Sequence, residues 1–346
     1  MEQLLEIQKR LVPELLNDMH RRYRILRQIQ WMQPVGRRAL AGALDMTERV
    51  LRAETDFLRE QGLIRVDSAG MKLTEAGQSI LTDAEPFIRE MAGLRGLEER
   101  LASVLGIRRA IIVPGDSDHS AWVKKEMGRA AARLLAELAE PDGVIAVSGG
   151  SSVLELAEEL PAHPVLKTVT FVPTRGGMGE RVELEANWIV SRMAMRTGSS
   201  YRLLHVPEEL GDEAYQTMIR EPRVREVLEK IRQARIVVHG IGDARAMARR
   251  RGSPEEVVEK LVREGAVGES FGYYFNQNGD IVHRVRTIGL RLEDLIHVKR
   301  IVAVAGGSGK AEAIRAVCGH VSRDVLVTDE GAARAVLKME EPVREC

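Results

Sequence analysis

The sequence predicts an α/β protein in two parts, a small helical head and a larger unit of mostly parallel strands. Three observations predict it. Apolar residues recur at three- and four-residue spacing through the first 80 residues, the period of an amphipathic helix. From Gly106 onward, short apolar runs closed by Gly or Pro alternate with helical stretches, as strand–helix units on a parallel sheet do. Four glycine-rich turns stand where those strands should end, and in such sheets the loops at strand C-termini form the ligand crevice. The expected boundaries are a head over 1–80, a helical linker and dimer contact over 81–105, and an α/β unit over 106–346.

In the head, Leu15, Met19, Tyr23, Leu26 and Ile29 make an apolar stripe ahead of Pro34. Val35–Ala43 reads as a short helix, Leu44-Asp45-Met46 as a tight turn, and Thr47–Glu60 as a second helix with Thr47 as N-cap. Val50, Leu51, Phe57 and Leu58 are expected to face inward; Glu48, Arg49, Arg52 and Asp56 outward. Gly62 stops the helix, and Leu63–Val66 and Met71–Leu73 flank Asp67-Ser68-Ala69-Gly70 as a hairpin. Helix, turn, helix and hairpin in this order make a winged helix-turn-helix, whose second helix enters the major groove of DNA.

Charge points the same way. Lys+Arg and Asp+Glu both total 51, so the whole chain declares no partner. Between His20 and Arg52, however, Arg21, Arg22, Arg24, Arg27, Arg37, Arg38, Arg49 and Arg52 face only Asp45 and Glu48. That excess suits a polyanion. The candidate DNA contacts are Arg37, Arg38, Thr47, Glu48, Arg49, Arg52 and Lys72, with the Arg21–Arg27 cluster meeting phosphates. Beyond the head, Phe87, Met91, Leu94, Leu97, Leu101 and Leu105 keep a helical stripe that Pro86, Gly93 and Gly96 interrupt.

The expected strands of the larger unit are Ala110–Val113, Val144–Val147, Thr168–Val172, Tyr201–Val206, Arg235–His239, Arg300–Ala305 and Val325–Thr328. Ser148-Gly149-Gly150-Ser151-Ser152 opens the helix Val153–Leu160. Glycines let a ligand approach the backbone, amides at a helix start attract anions, and Ser151 and Ser152 add hydroxyls. Thr174-Arg175-Gly176-Gly177 sets an arginine beside flexible backbone, suited to a phosphate fork. Gly306-Gly307-Ser308-Gly309-Lys310 opens another helix; it lacks the first glycine and the hydroxyl residue of a Walker A loop. Gly240-Ile241-Gly242 lacks the third glycine of a dinucleotide fingerprint.

The candidate effector residues are therefore Gly149, Gly150, Ser151, Ser152, Arg175, Gly176, Arg250, Glu269, Gly307, Ser308, Gly309 and Lys310. Two separated cationic positions, Arg175 or Arg250 and Lys310, suit a ligand with two phosphates, and Glu269 suits sugar hydroxyls. Asp116, Asp118, His119, Asp329 and Glu330 follow strand ends without forming a nucleophile–base pair, so no catalytic residue is assigned. Cys318 and Cys346 are too few for a disulfide framework and lack metal-ligand spacing, and no metal or cofactor is expected. No apolar run approaches the roughly 18 residues of a bilayer span, so the expected location is the cytoplasm. The competing readings are a sugar-phosphate isomerase or deaminase with an accessory domain, and a DNA-binding protein whose larger half only oligomerises.

Six segments, LEERLASVL (97–105), VSGGSS (147–152), TRGGMG (174–179), GIGDA (240–244), IVAVAGGSGKA (301–311) and VTDE (327–330), together resemble the SorC family of sugar-binding transcriptional regulators, grouped near the DeoR regulators. RRALAGALDMTERVLRAE (37–54) looks like the head of the branch of that family controlling glycolytic genes in Gram-positive bacteria. The resemblance implies a sensor fold like that of ribose-5-phosphate isomerase and glucosamine-6-phosphate deaminase, without catalysis. It also implies a dimeric or tetrameric repressor that binds operator DNA and responds to fructose 1,6-bisphosphate. Carried onto this sequence, the phosphate contacts fall on Gly150, Ser151, Ser152, Arg175 and Lys310, with Arg250 and Glu269 beside them.

Overall fold

The computed structural model describes residues 10–177, 181–207 and 210–340. Met178 and Gly179 of the TRGGMG segment, and Cys346, lie outside the described residues. The chain divides into two compact units, Met1–Arg95 and Gly96–Cys346.

In the first unit, helices Pro13–Met32, Arg37–Leu44 and Glu48–Glu60 precede an antiparallel hairpin, β1 (Ile64–Asp67) and β2 (Gly70–Leu73), and helix Glu75–Met91 follows it. Ile25, Ile29, Leu40, Leu51, Leu58, Ile64, Met71 and Leu81 close one core. Thr47 caps the third helix, its hydroxyl accepting from Val50 N at 3.4 Å. Asp67 holds the hairpin turn by accepting from Ala69 N at 2.8 Å and Gly70 N at 3.2 Å. Helix Glu75–Met91 runs through Pro86. The break comes instead at Gly93, whose φ of 63° is the left-handed conformation glycine tolerates best, and Gly96 lies inside the next helix, Leu94–Leu105.

Two expectations for the head are corrected. Val50 and Phe57 are exposed, and the Arg22 guanidinium covers the Phe57 ring at 3.8 Å. The arginines of the first helix are largely occupied within the fold. Buried Glu54 takes Arg21 Nε at 2.8 Å and Arg22 Nε at 2.9 Å. Arg27 is buried 3.8 Å from Glu85. The Arg21–Arg27 cluster is thus mainly scaffolding that clamps the first helix to helix Glu48–Glu60 and helix Glu75–Met91, and only Arg24 among them is exposed.

The second unit is built on a seven-stranded parallel sheet: β3 (Arg109–Val113), β4 (Val144–Val147), β5 (Thr170–Pro173), β6 (Ser200–Tyr201), β7 (Ile236–Gly240), and then β12 (Arg300–Val304) and β13 (Val325–Asp329). Between β7 and β12 the chain makes a separate antiparallel sheet from β8 (Gly242–Asp243), β9 (Ala266–Ser270), β10 (Tyr273–Asn276) and β11 (Ile281–Arg284). The large sheet runs β3-β13-β12-β7-β4-β5-β6. From β4 the chain goes outward through β5 and β6, then returns to place β7 on the other side of β4. The order reverses between β4 and β7, and that reversal opens a crevice at the strand C-termini.

Six of the seven parallel strands fall where the sequence places them, but β6 meets the expected Tyr201–Val206 only at Tyr201. Asn187 accepts from Leu204 N at 2.9 Å and donates to Leu204 O at 3.0 Å, so a side chain takes the backbone groups a longer strand would have paired. The antiparallel sheet was not anticipated. Its strands are short, and Gly268 and Glu269 interrupt the apolar pattern of β9.

The head yields a first prediction. Glu54→Ala leaves Arg21 and Arg22 without their shared carboxylate, and removing one partner of a half-buried ion network costs about 1–3 kcal/mol. Thermal unfolding of residues 1–95 followed by circular dichroism should show that loss; an unchanged melting temperature would argue that Glu54 is incidental.

Candidate functional site

One cleft lies at the C-terminal ends of β4, β5, β7 and β12, and Gly149, Gly150, Ser151, Ser152, Arg175, Arg250, Glu269 and Lys310 all line it. The loop after β4 turns at Gly150, whose φ of 121° requires glycine. A Cβ at Gly149 would lie 2.4 Å from Leu184 O, so this position also holds the loop against its neighbour. Helix Ser151–Glu159 starts at that turn with no side-chain cap, leaving its first amides aimed outward with the positive end of the helix dipole.

Lys124 joins this corner, although no motif marks it. Helix Ala121–Leu138 crosses helix Ser151–Glu159 so closely that a Cβ at Gly128 would sit 2.6 Å from Glu155 C. One turn earlier, that crossing sets Lys124 Nζ 3.4 Å from Ser151 Oγ. Lys310 stands nearby. Burial and the charge of Lys124 push its ammonium below the ordinary lysine range against the pull of Asp118, Asp243 and Asp329. A dianion here would relieve both effects.

Arg175 and Arg250 also line the cleft. Glu269, expected to meet sugar hydroxyls, also lines the cleft, with one of its oxygens already engaged inside the protein. Its Oε1 accepts from Gly272 N at 2.7 Å and Arg251 Nη2 at 2.8 Å, and lies 3.5 Å from Arg175 Nη1. Burial alone would raise this carboxyl, but Arg251 and Arg175 outweigh it and hold Glu269 below the usual carboxylate range. Glu269 therefore positions cations. Arg251, which also donates to Tyr274 Oη at 2.8 Å, was missed because a three-arginine run at a helix end reads as solvated surface and its carboxylate partner is distant in sequence.

Other parts of the expected set belong to the frame. Gly176 packs where a Cβ would meet Val206 O at 2.3 Å, and its amide donates to Ile288 O at 3.1 Å. The amides of Gly307, Ser308 and Gly309 do not form an anion cradle: Asp329, Asp116 and Asp118 accept from them at 2.7, 3.3 and 2.7 Å. Those aspartates, which follow strand ends without a catalytic partner, hold the turn that delivers Lys310. The floor contains residues with no motif to mark them. Ser148 Oγ accepts from Gly240 N at 3.1 Å, and Thr174 Oγ1 is buried without a hydrogen-bond partner among the described residues. Buried polar groups are rarely left unpaired, so Thr174 offers a ligand one more contact. His239 is fully buried between Ser270, 2.9 Å from Nδ1, and Ser322.

The comparisons with known proteins match this architecture. Residues 89–338 match the family Sugar-bind, a sugar-binding domain, and residues 19–88 match the CggR N-terminal DNA binding domain. The central glycolytic genes regulator of Priestia megaterium is 47% identical over 98% of this chain and 99% of its own. The chain belongs to this family of sugar-binding transcriptional regulators. A second regulator of the same name, from Bacillus subtilis, is 46% identical over 98% of this chain and 100% of its own. Among solved structures, a SorC family transcriptional regulator from Enterococcus faecalis is 40% identical, covers 70% of this chain and 99% of its own, and superposes with a TM-score of 0.66. Within this family the head is the DNA-binding domain and the larger unit the sugar-binding domain, and the protein is a regulator, not an enzyme. No described helix is long and apolar enough to cross a membrane, and no group of His, Cys, Asp or Glu among the described residues could hold a metal.

The buried histidine gives this site a pH dependence. Burial pushes His239 down to about 4 from 6.5, against Gly240 O and Glu269. The unfolded chain therefore binds a proton over that interval that the folded one refuses, so stability falls as pH drops from 6.5 towards 4. The slope is at most about 1.4 kcal/mol per pH unit. Denaturant titrations between those limits should show this slope in the wild type and a shallower one in His239→Asn; equal slopes would mean His239 is not the group refusing the proton.

Proposed function

We propose that this chain is a cytoplasmic repressor of a glycolytic operon, and that a doubly phosphorylated sugar, fructose 1,6-bisphosphate, occupies the cleft and releases or remodels it on operator DNA. The observation that carries the reading is the cleft itself. Ser151, Ser152, Arg250, Arg175 and Lys310 come from four separate segments of the chain and line one crevice, with Lys124 beside Ser151 at a helix start and Arg250 at the end of helix Ala244–Arg250. Such a spread of fixed donors and cations suits a ligand carrying two phosphoryl groups. The glycolytic assignment is supported by relatives that are named central glycolytic genes regulators.

On the DNA side we read the order of helix Arg37–Leu44, turn, helix Glu48–Glu60 and hairpin as a winged helix-turn-helix. Arg49 and Arg52 are exposed on the second helix and have no ion-pair partner among the described residues, so they are the contacts best suited to base edges. Arg37, Thr47 and the 3.4 Å pair of exposed Arg38 with Glu48 flank them. Lys72 is held 3.2 Å from Asp67 beside the hairpin turn, suited to a neighbouring phosphate. The effector contacts are Gly149, Gly150, Ser151, Ser152, Arg175, Arg250 and Lys310. Segment 81–105 serves as linker and dimer contact in a homo-oligomer.

Control requires that the sugar phosphate bind the DNA-competent and DNA-incompetent states with different affinity. A coupling of 1–3 kcal/mol weakens operator binding about 5- to 150-fold. Operator titrations at fixed salt should show that change on addition of fructose 1,6-bisphosphate, and Lys310→Ala should bind operator as before but lose the response. An operator isotherm that fructose 1,6-bisphosphate leaves unaltered in affinity, stoichiometry and cooperativity would remove this effector.

A further inference from the structure

We propose a second oxyanion site in the larger unit, for the phosphoryl group of a small metabolite, in a cavity of about 390 Å³ lined by Tyr215, Gln216, Arg284, Arg286, Thr287 and Arg291. The cavity follows from the local sequence. Past β11 the chain stays extended, so Val285 turns into the core while Arg284 and Arg286 share the opposite face. Ile288 and Leu290 are buried again, and Arg291 ends the segment, its Nη2 donating to Tyr215 Oη at 2.6 Å.

Among the described residues every lining side chain carries a hydrogen-bond donor and none is a carboxylate. Of the acids nearby, Glu293 acts on Arg291 through its charge, and two others are engaged. Asp212 pairs with Arg286, and Asp294 accepts from the backbone amide of Arg291 at 2.9 Å. Arg284 lies 5.0 Å over the Tyr273 ring and has no carboxylate partner among the described residues. Three guanidiniums around one space repel each other, and a phosphoryl group with three terminal oxygens reverses that cost through charge-assisted, bidentate hydrogen bonds.

The segment bearing these arginines also forms a wall shared with the first cleft. Val285 N donates to Gly272 O at 2.8 Å, Leu290 N to Thr174 O at 2.7 Å, and Ile288 O accepts from Gly176 N at 3.1 Å. Gly272 also donates to Glu269, and Thr174 lines the first cleft. An anion that draws Arg284, Arg286 and Arg291 together therefore acts on the loops carrying Glu269 and Arg175, and linkage makes the effect mutual. The coupling rests on the first cleft being a sugar-phosphate site; the second site does not.

The test uses the full chain and inorganic phosphate, read by phosphorus NMR line broadening and calorimetry. Lys310→Ala, which disables the first cleft, should still bind phosphate. Adding Arg284→Gln and Arg286→Gln should then lower that affinity at least tenfold, with unchanged circular dichroism; Arg284→Gln alone removes only a ring contact and guards against misfolding. Phosphate binding that Lys310→Ala abolishes, or that the arginine substitutions leave intact, overturns the site. Saturating phosphate should also shift fructose 1,6-bisphosphate affinity several-fold in the wild type but not in the double arginine variant, and equal shifts overturn the coupling. A chain that binds phosphate here yet fructose 1,6-bisphosphate nowhere keeps this site and removes the reading of the first cleft.

Discussion

Glu269 is a carboxylate kept from water at the seam between the parallel sheet and the small antiparallel one, where Arg251, Arg175 and Gly272 N meet it. An isolated buried carboxylate would be costly, as would either buried guanidinium without it. The three charges are therefore an all-or-none arrangement. It fixes Arg175, which rises from the loop after β5, relative to β9 and the end of helix Ala244–Arg250. The cleft has a defined width on this side because the ion network has one satisfied geometry. On the other side the aspartates that accept from Gly307, Ser308 and Gly309 do the same for Lys310.

The head follows a similar economy. Buried Glu54 gathers Arg21 and Arg22 from the first helix, and those contacts fix the angle at which helix Glu48–Glu60 leaves the core. Arg49 and Arg52, on the outer face of that helix, stay exposed, as does Arg24 on the first helix. Arginine count alone therefore overstated the DNA-facing charge.

Periodicity and punctuation carried most of the fold. Most of the parallel strands were legible because they are short apolar runs closed by turns containing Gly or Pro, and the Thr47 cap and the Asp67 turn were legible because their chemistry is local. What involved partners far apart in sequence was not. Glu269 lies 18 residues from Arg251 and much further from Arg175, so its role as a clamp could not be read from its neighbours. Lys124 reaches the cleft only through the close helix crossing at Gly128, and a glycine inside a helical pattern does not announce its partner. The GGSGK turn was misread in part because glycine-rich backbone serves equally well to bind an anion or to accept three aspartates.

Fructose 1,6-bisphosphate affinity is expected to depend on Glu269 acting through Arg175, and a double-mutant cycle on that affinity tests this most directly. Calorimetry on the wild type, Glu269→Gln, Arg175→Gln and the double variant, each checked for folding, supplies the four affinities. Glu269→Gln alone should weaken binding by about tenfold or more, roughly 1.4 kcal/mol. In the Arg175→Gln background the same substitution should have little further effect. Equal losses in both backgrounds would contradict the account, because Glu269 would then act on the ligand independently of the arginine it is said to hold.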